Sequence, residues 1–140
     1  MRFHSTSNTE TAAIGGQLAT KLAPGSIVTF FGELGAGKTT CIKGIATALT
    51  GMPEEAINSP TFGYMHIYPG RIPVYHFDLY RLNNSGEFID MGFDEYLYAD
   101  GVCCIEWSER IADILPAGAI TISATHAGGD NRIIEIMGIE

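Results

Sequence analysis

The chain has 140 residues, 46% of them hydrophobic, with eight Lys and Arg against sixteen Asp and Glu, for a formal net charge of −8. That length predicts one domain over residues 1–140, able to bury roughly two thirds of its unfolded surface. The apolar content excludes disorder beyond the first few residues, and the few cations, scattered from Arg2 to Arg132, exclude a basic stripe for strong direct binding of RNA or DNA.

No apolar run approaches a membrane span, and the opening MRFHSTSNTE lacks the apolar core of a signal peptide. A cytoplasmic protein without membrane contact is the expectation. Cys41, Cys103 and Cys104 lack C-x-x-C spacing and read as buried free thiols in a reducing compartment. His4, His66, His76 and His126 show no zinc spacing and read as single packed or surface residues.

In chain order, Ser7-Asn8-Thr9-Glu10 fits a capping box, and Ile14, Leu18 and Leu22 follow at helical spacing until Pro24-Gly25. Ile27 to Phe31 is a β-branched and aromatic run that predicts a buried strand. Next, Gly32-Glu33-Leu34-Gly35-Ala36-Gly37-Lys38-Thr39 fits G-x-x-x-x-G-K-[ST], with Thr40 after it. Ile42, Ile45 and Leu49 then share one helical face, closed by Gly51-Met52-Pro53.

Strand, glycine loop and helix together predict a phosphate-binding loop. Glycine turns the backbone amides inward, and the helix start adds N–H groups and a partial positive charge. Lys38 would meet the β- and γ-phosphates, and the Thr39 hydroxyl would ligate Mg²⁺. The bland alternative is a glycine-rich turn carrying a surface lysine.

Pro60 makes Ser59-Pro60-Thr61-Phe62 extended, as a strand entry or an ordered loop. Ser59 and Thr61 are candidates for sensing a γ-phosphate, against ordinary turn duty. Phe62 to Tyr68 and Ile72 to Asp78, joined through Pro69-Gly70-Arg71, predict a hairpin. Asp78, at its end, either holds Mg²⁺ or caps the next turn or pairs with Arg81. Ser85 to Met91 and Phe93 to Leu97 read as short helical pieces around Gly92.

Gly101 to Trp107 has four apolar residues without alternation, the pattern of a strand buried on both faces of a parallel sheet. Glu106 closes it, where a carboxylate binds metal or orients attacking water, or else marks the exit into solvent. Trp107, the only tryptophan, is either buried or stacked near a nucleotide. Ser108 to Leu115 predicts a short helix. Ala119 to Thr125 and Arg132 to Gly138 predict a terminal hairpin that completes the sheet and carries nothing catalytic.

The chain resembles the bacterial TsaE family, also called YjeE: small P-loop ATPases needed to make threonylcarbamoyladenosine in tRNA. GELGAGKTT at Gly32 to Thr40, SPTF at Ser59 to Phe62, HFDLYRL at His76 to Leu82 and IEW at Ile105 to Trp107 carry the resemblance, with Gly-x-x-x-Tyr-Leu at Gly92 to Leu97. It implies an α/β P-loop fold, a mostly parallel sheet flanked by helices with antiparallel hairpins. It also implies ATP and Mg²⁺ as ligands, and TsaB and TsaD as partners through which tRNA is met only indirectly. By position, Lys38 and Thr39 hold phosphate and metal, and Ser59 to Thr61 match the switch-like segment. Asp78 and Glu106 match the acids at the Mg²⁺ site, their division of labour left open, and Trp107 matches a functionally important tryptophan. Hydrolysis weak in isolation is expected, because no motif positions an arginine to steady developing charge. The competing readings are a small-molecule kinase, which lacks its arginine-bearing lid here, and a non-catalytic nucleotide-gated module. No N-K-x-D motif supports a guanine-specific GTPase.

Overall fold

Ser7 starts the first helix as the sequence predicts. Its Oγ accepts the Glu10 amide at 3.1 Å, while the Glu10 carboxylate reaches past it to the Thr6 amide at 3.2 Å. The computed structural model describes residues 1–33, 35–58 and 63–139. The elements are β1 (Arg2–Ser5), α1 (Asn8–Ala19), β2 (Ile27–Gly32), α2 (Lys38–Thr50), β3 (Met65–Tyr68), β4 (Val74–Asp78), α3 (Ser85–Asp90), β5 (Val102–Glu106), β6 (Ile120–His126) and β7 (Arg132–Met137). Short 3₁₀ turns lie at Glu54–Ala56, Phe93–Tyr98 and Ser108–Ile114.

The strands form one seven-stranded sheet in the order β1-β7-β6-β2-β5-β4-β3. Its centre, β6-β2-β5-β4, is parallel, and both edges are antiparallel. This is the mixed α/β architecture that the resemblance implies, with β3–β4 and β6–β7 as the two hairpins that the residue pattern predicts. Two expectations shift. Helix α1 ends at Ala19, before Leu22, which stays buried in the following turn. The first residues, expected to be the least ordered, instead form β1 and pair antiparallel with β7. The Met1 ammonium and carbonyl both bond Ile136, each at 2.8 Å.

Side chains of successive β5 residues enter opposite cores, as strand geometry requires. Cys104 joins Val28, Phe30, Ile42, Ile45 and Leu18 beneath α1 and α2. Cys103 and Ile105 join Phe77, Leu79, Phe88 and Ile111 on the other face. The three thiols are free and buried, and burial pushes those of Cys41 and Cys103 up to about 12. They fit the packed, unreactive role that the sequence suggests.

Helices α1 and α2 touch almost backbone to backbone. A Cβ on Gly15 would stand 2.3 Å from the Cys41 carbonyl oxygen, and one on Gly44 would stand 1.9 Å from that of Ala12. This contact brings the start of α1 beside the start of α2, and both open onto the same cavity.

Candidate functional site

β2 feeds a tight loop into α2, and the loop bends where glycine permits it. Gly32, Gly35 and Gly37 have φ of 141°, 78° and 105°. At Gly32 a side chain is barred twice over, because a Cβ there would meet the Ala124 carbonyl oxygen of β6 at 2.3 Å. The Ala36 amide donates to the Glu33 carbonyl at 3.0 Å, and the helical ladder starts with Cys41 donating to Gly37 at 2.9 Å. The turn before that bond is where an α-helix leaves its amides for a ligand.

A cavity of about 630 Å³ lies over this loop, within the range of small-molecule sites. Gly32, Glu33, Gly35, Gly37, Lys38, Thr39 and Thr40 line it, together with Asp78, Glu106 and Trp107. So residues from three separate stretches of sequence meet at the C-terminal ends of β2, β4 and β5, where open α/β sheets bind ligands. Ala36 stands behind the loop, fully buried in the α1–α2 core. Leu34 and Thr61, with Ser59, Pro60 and Phe62, lie outside the described residues.

The acids face one another by register. β4 and β5 run parallel, and Asp78 is paired with Glu106. Burial pushes the Asp78 carboxyl above the usual aspartate range, and the negative charge of Glu106 adds to that; the Tyr80 amide, His76 and Lys38 oppose it. Asp78 Oδ1 does accept the Tyr80 amide, at 3.2 Å, so it caps the turn as well as lining the cavity. Among the described residues it forms no ion pair with Arg81. Glu106 is 7% exposed, and its Oε2 lies 2.9 Å from His76 Nε2.

The donor set suits a hard divalent cation: the Thr39 hydroxyl and the Asp78 and Glu106 carboxylates line the same cavity. Among the described residues no group of three or more His, Cys, Asp or Glu side chains converges. Mg²⁺ matches such a site, because it keeps several waters and binds through one or two carboxylates plus phosphate.

Trp107 is not buried, and it lines the cavity. It is 37% exposed, its backbone is left-handed at φ 61°, and its ring meets Tyr80 edge-on at 5.0 Å. The Arg110 guanidinium carbon sits 5.3 Å from that ring, a cation–π distance.

Sequence reasoning missed three contributors. Arg132, placed in a hairpin with nothing catalytic, lines the cavity, and its Nη2 donates to the Gly35 carbonyl at 3.2 Å. Asn8, read only as part of a cap, lines the cavity from α1. His76, read as an isolated histidine, is buried against Glu106. Only His76 carried a local signal: two residues before Asp78 on one strand, it had to share that face.

A central parallel strand joined by a glycine loop to a helix, with acids at the ends of the next two strands, places the molecule in the P-loop class of α/β folds. Residues 5–134 match the family model described as threonylcarbamoyl adenosine biosynthesis protein TsaE. The chain is 44% identical over 136 residues to the tRNA threonylcarbamoyladenosine biosynthesis protein TsaE of Treponema pallidum, covering 97% of this chain and 99% of that one. It is 40% identical over 135 residues to the protein of the same name from Bacillus subtilis, covering 96% and 83%. The crystal structure of YdiB from Bacillus subtilis superposes with a TM-score of 0.77 at 36% identity, covering 96% of this chain and 82% of that one. The chain belongs to the TsaE family.

Proposed function

We infer that the protein is an Mg²⁺-dependent ATPase that serves threonylcarbamoyladenosine formation in tRNA. The single observation that carries the chemistry is the meeting of Lys38, Thr39, Asp78 and Glu106 on one cavity above a glycine loop. The pathway rests on the family and on its relatives' names.

In this reading the loop amides and Lys38 hold the β- and γ-phosphates of ATP. Thr39, Asp78 and Glu106 hold Mg²⁺ and orient water, the two carboxylates dividing those tasks. The metal, when bound, neutralises charge on the β- and γ-oxygens. Water attacks the γ-phosphorus, the bond to the β-phosphate oxygen breaks, and ADP and phosphate leave. Asn8 and Arg132, which line the same cavity, would contact the bound nucleotide. TsaB and TsaD are the partners this reading assigns, with tRNA reached through them.

The test pairs Lys38→Ala with Glu106→Gln. Lys38→Ala is expected to lose nucleotide-dependent stimulation of modification in a reconstituted system while melting like the parent. Full modification by that variant would show the site misassigned. Glu106→Gln is expected to bind ATP with turnover reduced by about 100-fold or more. Unchanged turnover would favour a nucleotide-gated module over an ATPase.

A further inference from the structure

We propose that His76 is a positioning residue: it holds the Glu106 carboxylate by one oxygen so that the other faces the nucleotide's metal. This rests on the ATPase reading and deepens it.

The placement comes from strand register. His76 pairs with Cys104 and Asp78 with Glu106, so His76, Asp78, Cys104 and Glu106 share one face of β4 and β5. Glu106 therefore has two neighbours across the ladder. Directly opposite is Asp78, a like charge; diagonally behind is His76, a donor. The Nε2···Oε2 distance of 2.9 Å shows which of them Glu106 turns toward.

An unheld carboxylate beside another would swing away from it or recruit a proton. The imidazole fixes it without a competing acid. His76 is completely buried, and its other nitrogen, Nδ1, is buried without a hydrogen-bond partner among the described residues. That accounting selects the tautomer. Nε2 carries the proton and donates to Glu106, and Nδ1 is a bare lone pair, cheaper to bury than an orphaned N–H. The Tyr68 ring backs the imidazole with centroids 6.5 Å apart. Tyr68 is itself pinned, since its hydroxyl donates to the Asn58 carbonyl and accepts the Asn58 amide at 3.1 Å. The donor that aims Glu106 is thus held from behind by a clamped aromatic ring. Outer partners of this kind tune the affinity of a metal site without touching the ion.

The experiment compares His76→Gln with His76→Asn. The glutamine amide nitrogen reaches the place of Nε2, whereas the asparagine amide stops short. Calorimetry measures the affinity for a non-hydrolysable ATP analogue in excess Mg²⁺ and in excess EDTA. His76→Gln is expected to keep the wild-type ratio of the two affinities, and His76→Asn to lose about 10-fold of it with the EDTA affinity unchanged. A purely structural role would lower both affinities together, and that result, or a retained ratio in His76→Asn, would overturn the proposal. Absence of any Mg²⁺ effect in the wild type would sink the ATPase reading itself and the role for His76 with it. A second readout needs no variant: ¹⁵N NMR of the wild-type imidazole is expected to show the Nε2–H tautomer, and an Nδ1–H tautomer would refute the proposal even if both variants unfold.

Discussion

Asp78 shows how one residue trades stability for a site. Its carboxyl is raised mainly by burial and then by Glu106, so the folded chain keeps that proton to a higher pH than the unfolded chain does. Over the window just above the usual aspartate range the native state binds more protons, and stability falls as pH rises through it. Asp78→Asn removes the penalty. The variant should therefore gain in Tm relative to wild type at pH about 7 compared with about 4, while losing the Mg²⁺ dependence of nucleotide binding. Thermal melts at the two pH values check the first half, and calorimetry with and without Mg²⁺ checks the second. Trp107 offers a backbone test. Its left-handed φ of 61° is disfavoured for any residue with a Cβ, so Trp107→Gly should be more stable than Trp107→Ala by about 1 kcal/mol in chemical denaturation. The sequence announced Trp107 as a site residue but not its conformation, because the strained φ is imposed by the turn that leads out of β5 and leaves no mark in local spacing.

At the scale of elements, the cleft is shaped by how α1 crosses α2. Gly44→Ala would drive a methyl to 1.9 Å from the Ala12 carbonyl oxygen. The helices must then separate, at a cost of about 1–3 kcal/mol. Because Asn8 on α1 and Lys38 on α2 line the same cavity, nucleotide affinity should fall with stability; urea denaturation and ligand titration read the two effects. The period of Ile42, Ile45 and Leu49 made α2 legible from sequence, as did the four-residue apolar run of β5. The helix crossing was not legible, since Gly15 and Gly44 resemble any other small residues until their neighbours are known. β1 was hidden for a different reason. Arg-Phe-His-Ser is too short and polar to signal a strand, and its partner β7 lies at the other end of the chain.

Across the whole molecule the sheet separates two cores, and the one beneath α1 and α2 holds Ala36 of the glycine loop. Phe88 belongs to the other, fully buried against Phe77 and Phe93 at centroid distances of 5.4 and 5.6 Å. Phe88→Ala should cost about 3–5 kcal/mol yet leave nucleotide affinity within about twofold while the protein stays folded. Denaturation curves and calorimetry on the same sample decide it. The motif residues of the site were readable because each ends a strand or begins a helix with its own pattern. Arg132 was not, because it reaches Gly35 only through the chain-long closure of β6 and β7 onto β2. The same sheet sets a dimension that no loop adjusts. Asp78 and Glu106 sit on hydrogen-bonded strands, so their backbones stand about 4.8 Å apart as a lattice constant. An ion bound between them would meet strands of fixed gauge, with arms that differ in length by one methylene. Exchanging which strand carries the longer arm would tilt the seat without widening it.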